Sequence, residues 1–396
     1  MEKIINFVDG LLARSTPQAP AWNVEAALEG KKPKWNYIDG CMIKAVLDLH
    51  YATGDKKYFD FAKNFIDFYV DENGGILGYR VEEYNCDNIN MGKVLFDLYR
   101  ATEDEKYKKA IMLLHSQLIT HPRINAGNFW HKKIYPNQVW LDGLYMVQPF
   151  YMDYELLFGG KKNLSDIMAQ FENVYNIMRD TQTGLFYHGY DESRQMFWAD
   201  KETGLSKNFW TRSIGWYMMA LVDTAEKLSV RGTVLLTRGE VECQENRPLD
   251  TLAIHLAETA NALLKVADPL TKLFYQVINQ PNREGNYLET SGSCAIAYSF
   301  MKGARLGYLP KSYFDHGKEI FDGVVKHKLG GSPDTAFTLK DICLVAGLGG
   351  MPGKGDYQPR DGTYEYYISE PRVDNDAKGV APFLFAYCEI VRNEHL

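Results

Sequence analysis

This sequence is short of the features that would place it in several large functional classes. Its net charge of −7 comes from interspersed acidic and basic residues. With no basic stripe or block to follow a phosphate backbone, no nucleic-acid partner is expected. No apolar run is long enough to cross a bilayer, so no membrane association is expected either. The six cysteines (41, 86, 243, 294, 343 and 388) are scattered, with no Cys-x-x-Cys pair. They read as buried free thiols of a reducing compartment, not as a disulfide framework or a zinc site. The nine histidines include no His-Glu-x-x-His, and no metal is expected. Neither Gly-x-Gly-x-x-Gly nor a phosphate-binding loop occurs, which leaves no case for a nucleotide cofactor. Met1 to Gly10 run straight into an amphipathic helical pattern without a secretory leader, so a cytoplasmic location is expected.

What the chain does have is apolar mass and rings. Hydrophobic residues make up 45% of its 396 positions, enough for a large core. No long Pro/Gly/Ser linker divides it, so one domain over residues 1–396 is expected. Aromatic residues reach 13%. Core packing absorbs many of them, yet clusters at loop–helix junctions also suit stacking on the C–H faces of sugars.

A repeat gives the architecture. Leu49-His50-Tyr51-Ala52-Thr53-Gly54-Asp55-Lys56-Lys57-Tyr58 is echoed about 49 residues later by Leu98-Tyr99-Arg100-Ala101-Thr102-Glu103-Asp104-Glu105-Lys106-Tyr107. Weaker echoes stand at Leu157 to Lys162 and at Ala304 to Leu309. Each is a helix end, a tight polar turn and a new helix, so the unit is a helical hairpin.

Six helices begin with a short polar residue followed by small or apolar ones. They start at Asp39, Asp87, Asp142, within Asn208 to Gly215, at Ser291 and at Asp376. The helices between them, such as Asp60 to Tyr69, carry an ordinary amphipathic stripe. Crowded inner helices alternating with amphipathic outer ones describe an all-α (α/α)6 barrel. Its inner N-termini would then share one mouth; an open solenoid is the alternative. Gly74 to Arg80 and Gly184 to Tyr190 read as short strands in the mouth loops. Val230 to Asn246 reads as a surface excursion with local β character at Thr233 to Thr237.

Chemistry concentrates between Asn128 and Glu155, where rings crowd one carboxylate, Asp142. Gly143 behind it leaves room for a group to approach the backbone. Asp142 is either a proton donor in a sugar-sized pocket or simply a helix N-cap. Asp87 would meet it at the mouth, and a neighbouring carboxylate raises a partner's pKa while a helix N-terminus lowers it. His188 sits in a second cluster, Thr183 to Asp191, and is either structural or functional. In a third, Arg212 and Trp216 share a helix face at four-residue spacing. An Arg fork can hold a carboxylate bidentately or pair with a buried aspartate, while a Trp face stacks on a ring.

The ordered set of Asp87, Trp140-Leu141-Asp142-Gly143, Gly184-Leu185 with His188, Trp210-x-Arg212 and Gly215-Trp216 resembles glycoside hydrolase family 105. These are the unsaturated rhamnogalacturonyl hydrolases. Thr290 to Ser293, Lys302 to Tyr308, Arg360 to Pro371 and Asn375 to Gly379 are similar to that family too. The related unsaturated glucuronyl hydrolases, family 88, share the aspartate pair.

The resemblance implies an (α/α)6 barrel that removes a terminal 4,5-unsaturated uronic acid from oligosaccharides left by a polysaccharide lyase. The step is hydration of the C4=C5 bond. Asp142 would be the proton donor and Asp87 the second carboxylate. His188, Trp210, Arg212, Trp216, Tyr37 and Trp140 would bind the uronate, and no cofactor or metal is implied. The partner is a small oligosaccharide, and the assembly a monomer or weak homodimer. Rival expectations are a glucuronyl hydrolase on glycosaminoglycan fragments, a sugar epimerase, a hydrolase of saturated polysaccharide, and a non-catalytic carbohydrate-binding helical-repeat protein.

Overall fold

The computed structural model describes residues 2–236, 248–332, 335–349 and 359–394. In chain order its helices are α1 (Glu2–Ala13), α2 (Val24–Glu29), α3 (Tyr37–Thr53), α4 (Lys56–Tyr69), α5 (Gly92–Thr102), α6 (Glu105–Thr120) and α7 (Gly143–Tyr154). They continue with α8 (Leu164–Met178), α9 (Thr211–Leu236), α10 (Pro248–Leu264), α11 (Thr290–Arg305), α12 (Ser312–His327), α13 (Tyr364–Ser369) and α14 (Ala377–Glu394). Six of them, α3, α5, α7, α9, α11 and α14, form the inner ring, while α1, α4, α6, α8, α10 and α12 lie outside.

The two rings differ in side-chain pattern, as their environments require. In α4 the buried residues are Tyr58, Ala62, Phe65, Ile66 and Tyr69, one stripe of an amphipathic helix. In α11 every residue from Thr290 to Ala304 is buried. A helix buried all round needs small residues where neighbours approach. A Cβ on Gly40 of α3 would lie 2.6 Å from the Met91 Cα, and one on Gly292 of α11 would lie 2.8 Å from the Thr211 carbonyl carbon. The hairpin turns repeat in geometry as well as in sequence. Gly54 and Glu103 both end their helices in the left-handed conformation, and Asp55 and Asp104 both cap the next helix through their side chains.

Closure of the inner ring is written in charge. Ion pairs join each inner helix to the next: Lys44–Asp97 (2.5 Å), Arg100–Asp153 (2.8 Å), Lys227–Asp153, Lys302–Asp223 (2.7 Å), Arg305–Glu389 (2.5 Å) and Arg392–Asp48 (2.5 Å). The last joins α14 back to α3, and those two helices also pack together. An open solenoid has no such contact between its first and last inner helices. The ring is closed.

Some expectations are corrected. The helix expected to begin at Asp87 is a 3-10 turn, Cys86–Ile89, followed by α5 from Gly92. α9 continues through Leu236, so Thr233 to Leu236 are helical, not β; residues 237–247, including Cys243, lie outside the described residues. The short strands expected in the mouth loops are mostly single bridges: Ile76 alone in Gly74 to Arg80, and Phe186 with the start of a strand at Gly189 in Gly184 to Tyr190. Val70 pairs with Ile76 in a bridge, and β1 (Gln138–Trp140) pairs antiparallel with β2 (Gly189–Asp191). Among the described residues no helix is long and apolar enough to cross a membrane, and the five described cysteines are buried and free.

Candidate active site

A backbone ladder at the mouth collects residues far apart in sequence. Asn85 bridges Lys132, the Cys86 amide donates to the His131 carbonyl (3.0 Å), and the His131 amide donates to the Gln138 carbonyl (2.8 Å). The Leu141 amide donates to the His188 carbonyl (2.9 Å). Asp87, His131, Lys132, Trp140, Asp142 and His188 are thereby brought side by side.

Asp142 stands at the N-cap position of α7, yet its side chain makes no capping hydrogen bond. The simple cap expectation fails. Its Oδ1 instead faces His188 Nε2 at 3.7 Å, longer than a hydrogen bond. Both atoms are buried without a hydrogen-bond partner, a costly state unless a ligand engages them. Burial pushes the Asp142 carboxyl up, but the imidazoles of His188 and His131 outweigh it and hold the carboxyl down at about 2. The other ring nitrogen of His188 lies 2.7 Å from the Tyr367 hydroxyl of α13, which fixes the ring's orientation.

Asp87 lies opposite. Its Oδ2 is 2.7 Å from Lys132 Nζ, and its Oδ1 is 3.6 Å from His131 Nε2. His131 is held flat against Trp140 (centroids 4.4 Å apart, planes 16°), with Tyr135 stacked on Trp140's ring at 4.8 Å. Burial lowers the His131 pKa. Gly143 acquires its reason here, because a Cβ at that position would lie 3.0 Å from His131 Nδ1. The group that needs room beside Gly143 is this imidazole.

Asp87, His131 and Asp142 each offer a ligand atom, all within 4.8 Å of one another. Such a set could hold a cation, but the Lys132 ammonium already supplies positive charge against Asp87. Exchanging Lys132 for Met should leave two carboxylates facing each other without that charge. One of them then titrates higher, and the acid limb of the kcat/KM profile should move to higher pH by about one unit or more. An unmoved profile would remove Lys132 from the electrostatics of the pair.

The remaining expected residues divide. Trp210 lies against His188 (centroids 4.7 Å) and stacks on Tyr367, with its indole N–H donating to Gln276. Arg212 lies over the Trp210 ring at 4.7 Å. It pairs with no carboxylate among the described residues. Its Nη1 donates to the Cys343 carbonyl and its Nη2 reaches the Leu344 carbonyl at 3.5 Å. Tyr37 is half-buried, and burial pushes its phenol well up. Trp216 is not part of this group: it is buried and stacked on Tyr145 of α7 at 4.9 Å. Asp39 is engaged by Trp22, Asn23 and Asn36, and burial pushes its carboxyl up to about 6.

His131, Lys132 and Tyr367 escaped the sequence reading. The first two stand inside the aromatic stretch, but nothing local marks them, because their placement depends on pairing with Asn85 and Cys86.

The chain as a whole has a close structural counterpart. A glycoside hydrolase from family 105 of C. acetobutylicum ATCC 824 is 40% identical, with a TM-score of 0.86 over 100% of both chains. The chain belongs to glycoside hydrolase family 105. The family model for Glycosyl Hydrolase Family 88 also matches, over residues 15–394. Protein Atu3128 of Agrobacterium fabrum is 35% identical over 248 residues, which is 61% of this chain and 96% of that protein. The unsaturated rhamnogalacturonyl hydrolase YesR of Bacillus subtilis is 22% identical over 287 residues, covering 70% of this chain and 74% of that protein. A family 105 member is a glycoside hydrolase.

Proposed function

We propose that the enzyme removes a terminal 4,5-unsaturated uronic acid from lyase-generated, rhamnogalacturonan-type oligosaccharides by adding water across the C4=C5 bond. The observation that carries this reading is Asp142: half-buried, uncapped, and facing His188 with a buried, unpartnered oxygen. Asp142 delivers a proton to C4, and water adds at C5 as the carboxylate takes a proton back. The resulting hemiketal opens, and the bond to the leaving sugar breaks as the uronate departs in its keto form. The net change is one water consumed.

At its low pKa the carboxyl of the free enzyme is ionised at neutral pH. The substrate supplies the correction. Its own carboxylate enters beside Asp142 and its ring excludes water, and both favour the protonated acid. Asp87, neutralised by Lys132, orients the sugar and tunes Asp142, while Trp140 and Trp210 form the aromatic walls. The spacing also bears on the rival saturated-sugar chemistry. Carboxyl oxygens within 4.8 Å are closer than the roughly 6.5–9.5 Å an inverting glycosidase needs for its water, and near the roughly 5–5.5 Å of a retaining one, so the spacing argues against inversion alone.

Arg212 is the partner proposed for the uronate carboxylate. A guanidinium carries five N–H donors, and the Cys343 and Leu344 carbonyls with the Ser291 hydroxyl engage only part of that set. Arg212→Lys should raise KM by about tenfold or more through the loss of a charged hydrogen bond, with a smaller change in kcat. An unchanged KM would retire the role.

The test of substrate class is loss of ultraviolet absorbance from the conjugated uronate, with lyase-digested rhamnogalacturonan beside lyase-digested glycosaminoglycan. Loss with the first alone is the expected result. Loss with the second alone would move the enzyme to the glucuronyl class.

A further inference from the structure

Beside Asp87, and not lined by Asp142, a cavity of about 240 Å³ lies between α2 and the start of α3. Asp87 and Lys132 form one wall, so the space adjoins the reaction centre directly. Tyr37 also lines it, its phenol suited to a sugar hydroxyl, while the Asn23 and Asn36 amides in the lining are engaged with Asp39, with each other and with backbone groups. Two carboxylates also line it, but both are engaged. Asp39 accepts from Trp22, Asn23 and Asn36, and Glu25 faces Lys378 at 3.4 Å. Charge at the outer rim has the other sign: Lys31, Lys32 and Lys34 follow one another there. Lys31 pairs with Glu29 and Lys34 with Glu83. Lys32 is exposed, and among the described residues it has no ion pair or hydrogen bond.

We propose that this cavity receives the leaving portion of the oligosaccharide, and that the lysine rim selects chains bearing a second anionic group beyond the leaving sugar. The proposal rests on the unsaturated-uronide reading above. Chemistry and position fit together. The first anionic group, the unsaturated uronate, is held deep in the mouth. A sugar leaving from it must pass Asp87, and a longer acidic chain then brings its next carboxylate or sulfate out toward Lys32. An interaction between exposed charges is screened by salt within a Debye length of about 10 Å at 0.1 M. The selection should therefore weaken as salt rises, whereas contacts inside the buried mouth are screened much less.

The experiment compares kcat/KM for four substrates ending in the same unsaturated uronate. They are the disaccharide, a tetrasaccharide neutral beyond the leaving sugar, and tetrasaccharides with a carboxylate or a sulfate on the third sugar. At low salt the acidic tetrasaccharides should exceed the neutral one by about five- to tenfold. That ratio should fall toward one in about 1 M salt, and in a Lys31→Glu/Lys32→Glu double variant whose melting temperature matches the wild type. Lys32→Gln should give an intermediate ratio. Equal preference for carboxylate and sulfate assigns the rim to anions generally; preference for carboxylate alone assigns it to a second uronate. A wild-type ratio of one, or a ratio unchanged in both variants, overturns the proposal. If the disaccharide itself is not turned over, the hydration reading fails. Calorimetric binding of the acidic and neutral tetrasaccharides then still decides whether the rim selects charge.

Discussion

Asp142→Asn is expected to lower kcat by about 10³-fold, the usual range for loss of a positioned general acid being 10²–10⁴. KM should stay within a few-fold, because the sugar contacts proposed for Trp140, Trp210 and Arg212 do not need the proton. The stability consequence has a definite sign. The Asp142 carboxyl is lowered from 3.8 to about 2, so its ionised form favours the folded state. That contribution is present above about pH 4 and is lost as the pH falls through about 2. At neutral pH the Asn variant should therefore be less stable, by up to about 2 kcal/mol. A domain with roughly 5–15 kcal/mol of stability survives such a loss folded. Thermal melts across pH would show the gap between wild type and variant shrinking toward pH 2. Near-normal turnover would end the assignment, and a variant more stable than wild type at pH 7 would contradict the electrostatics.

Asp153→Ala should be the most damaging change to stability, although it is far from the mouth. The side chain is buried on α7 between Arg100 of α5 and Lys227 of α9. Burial pushes its carboxyl up, but the charges of Lys227 and Arg100 outweigh it and set it below the usual range. Removing it interrupts the ring of ion pairs and leaves two cations facing each other. Breaking a buried pair from one side costs about 3–5 kcal/mol, a large part of the total for many domains. A drop in melting temperature with residual activity at low temperature is expected. A melting temperature unchanged from wild type would show that the ring does not hold the barrel closed. Because the folded pKa is depressed, the wild-type contribution is present above about pH 4 and fades below it.

The helical hairpins were legible because their turns are local. Gly54 and Glu103 in left-handed geometry, each followed by a capping aspartate, are written in consecutive residues. The inner helices were legible from their small, polar starts, and for the same reason the two aspartates could be placed at one mouth. Closure was harder to read. It rests on pairs such as Arg392 with Asp48 at opposite ends of the chain, and periodicity carries no information about them. His131 and Lys132 were hidden in the same way. The cap expectation for Asp142 failed for a different reason: a helix start shows where a carboxylate stands, not whether its oxygens turn inward to the helix or outward to a partner. Thr233 to Leu236, rich in β-branched and apolar residues, are helical because they continue α9; local propensity yields to the element that precedes it.

The most direct test of the central claim uses one disaccharide in two forms, identical except that the terminal uronate carries or lacks the C4=C5 double bond. Hydration needs that bond; attack at the anomeric carbon does not. The expected result is turnover of the unsaturated form alone, with its ultraviolet absorbance lost as the leaving sugar appears. Cleavage of the saturated form at a comparable rate would contradict it and return Asp142 and Asp87 to conventional glycosidase roles.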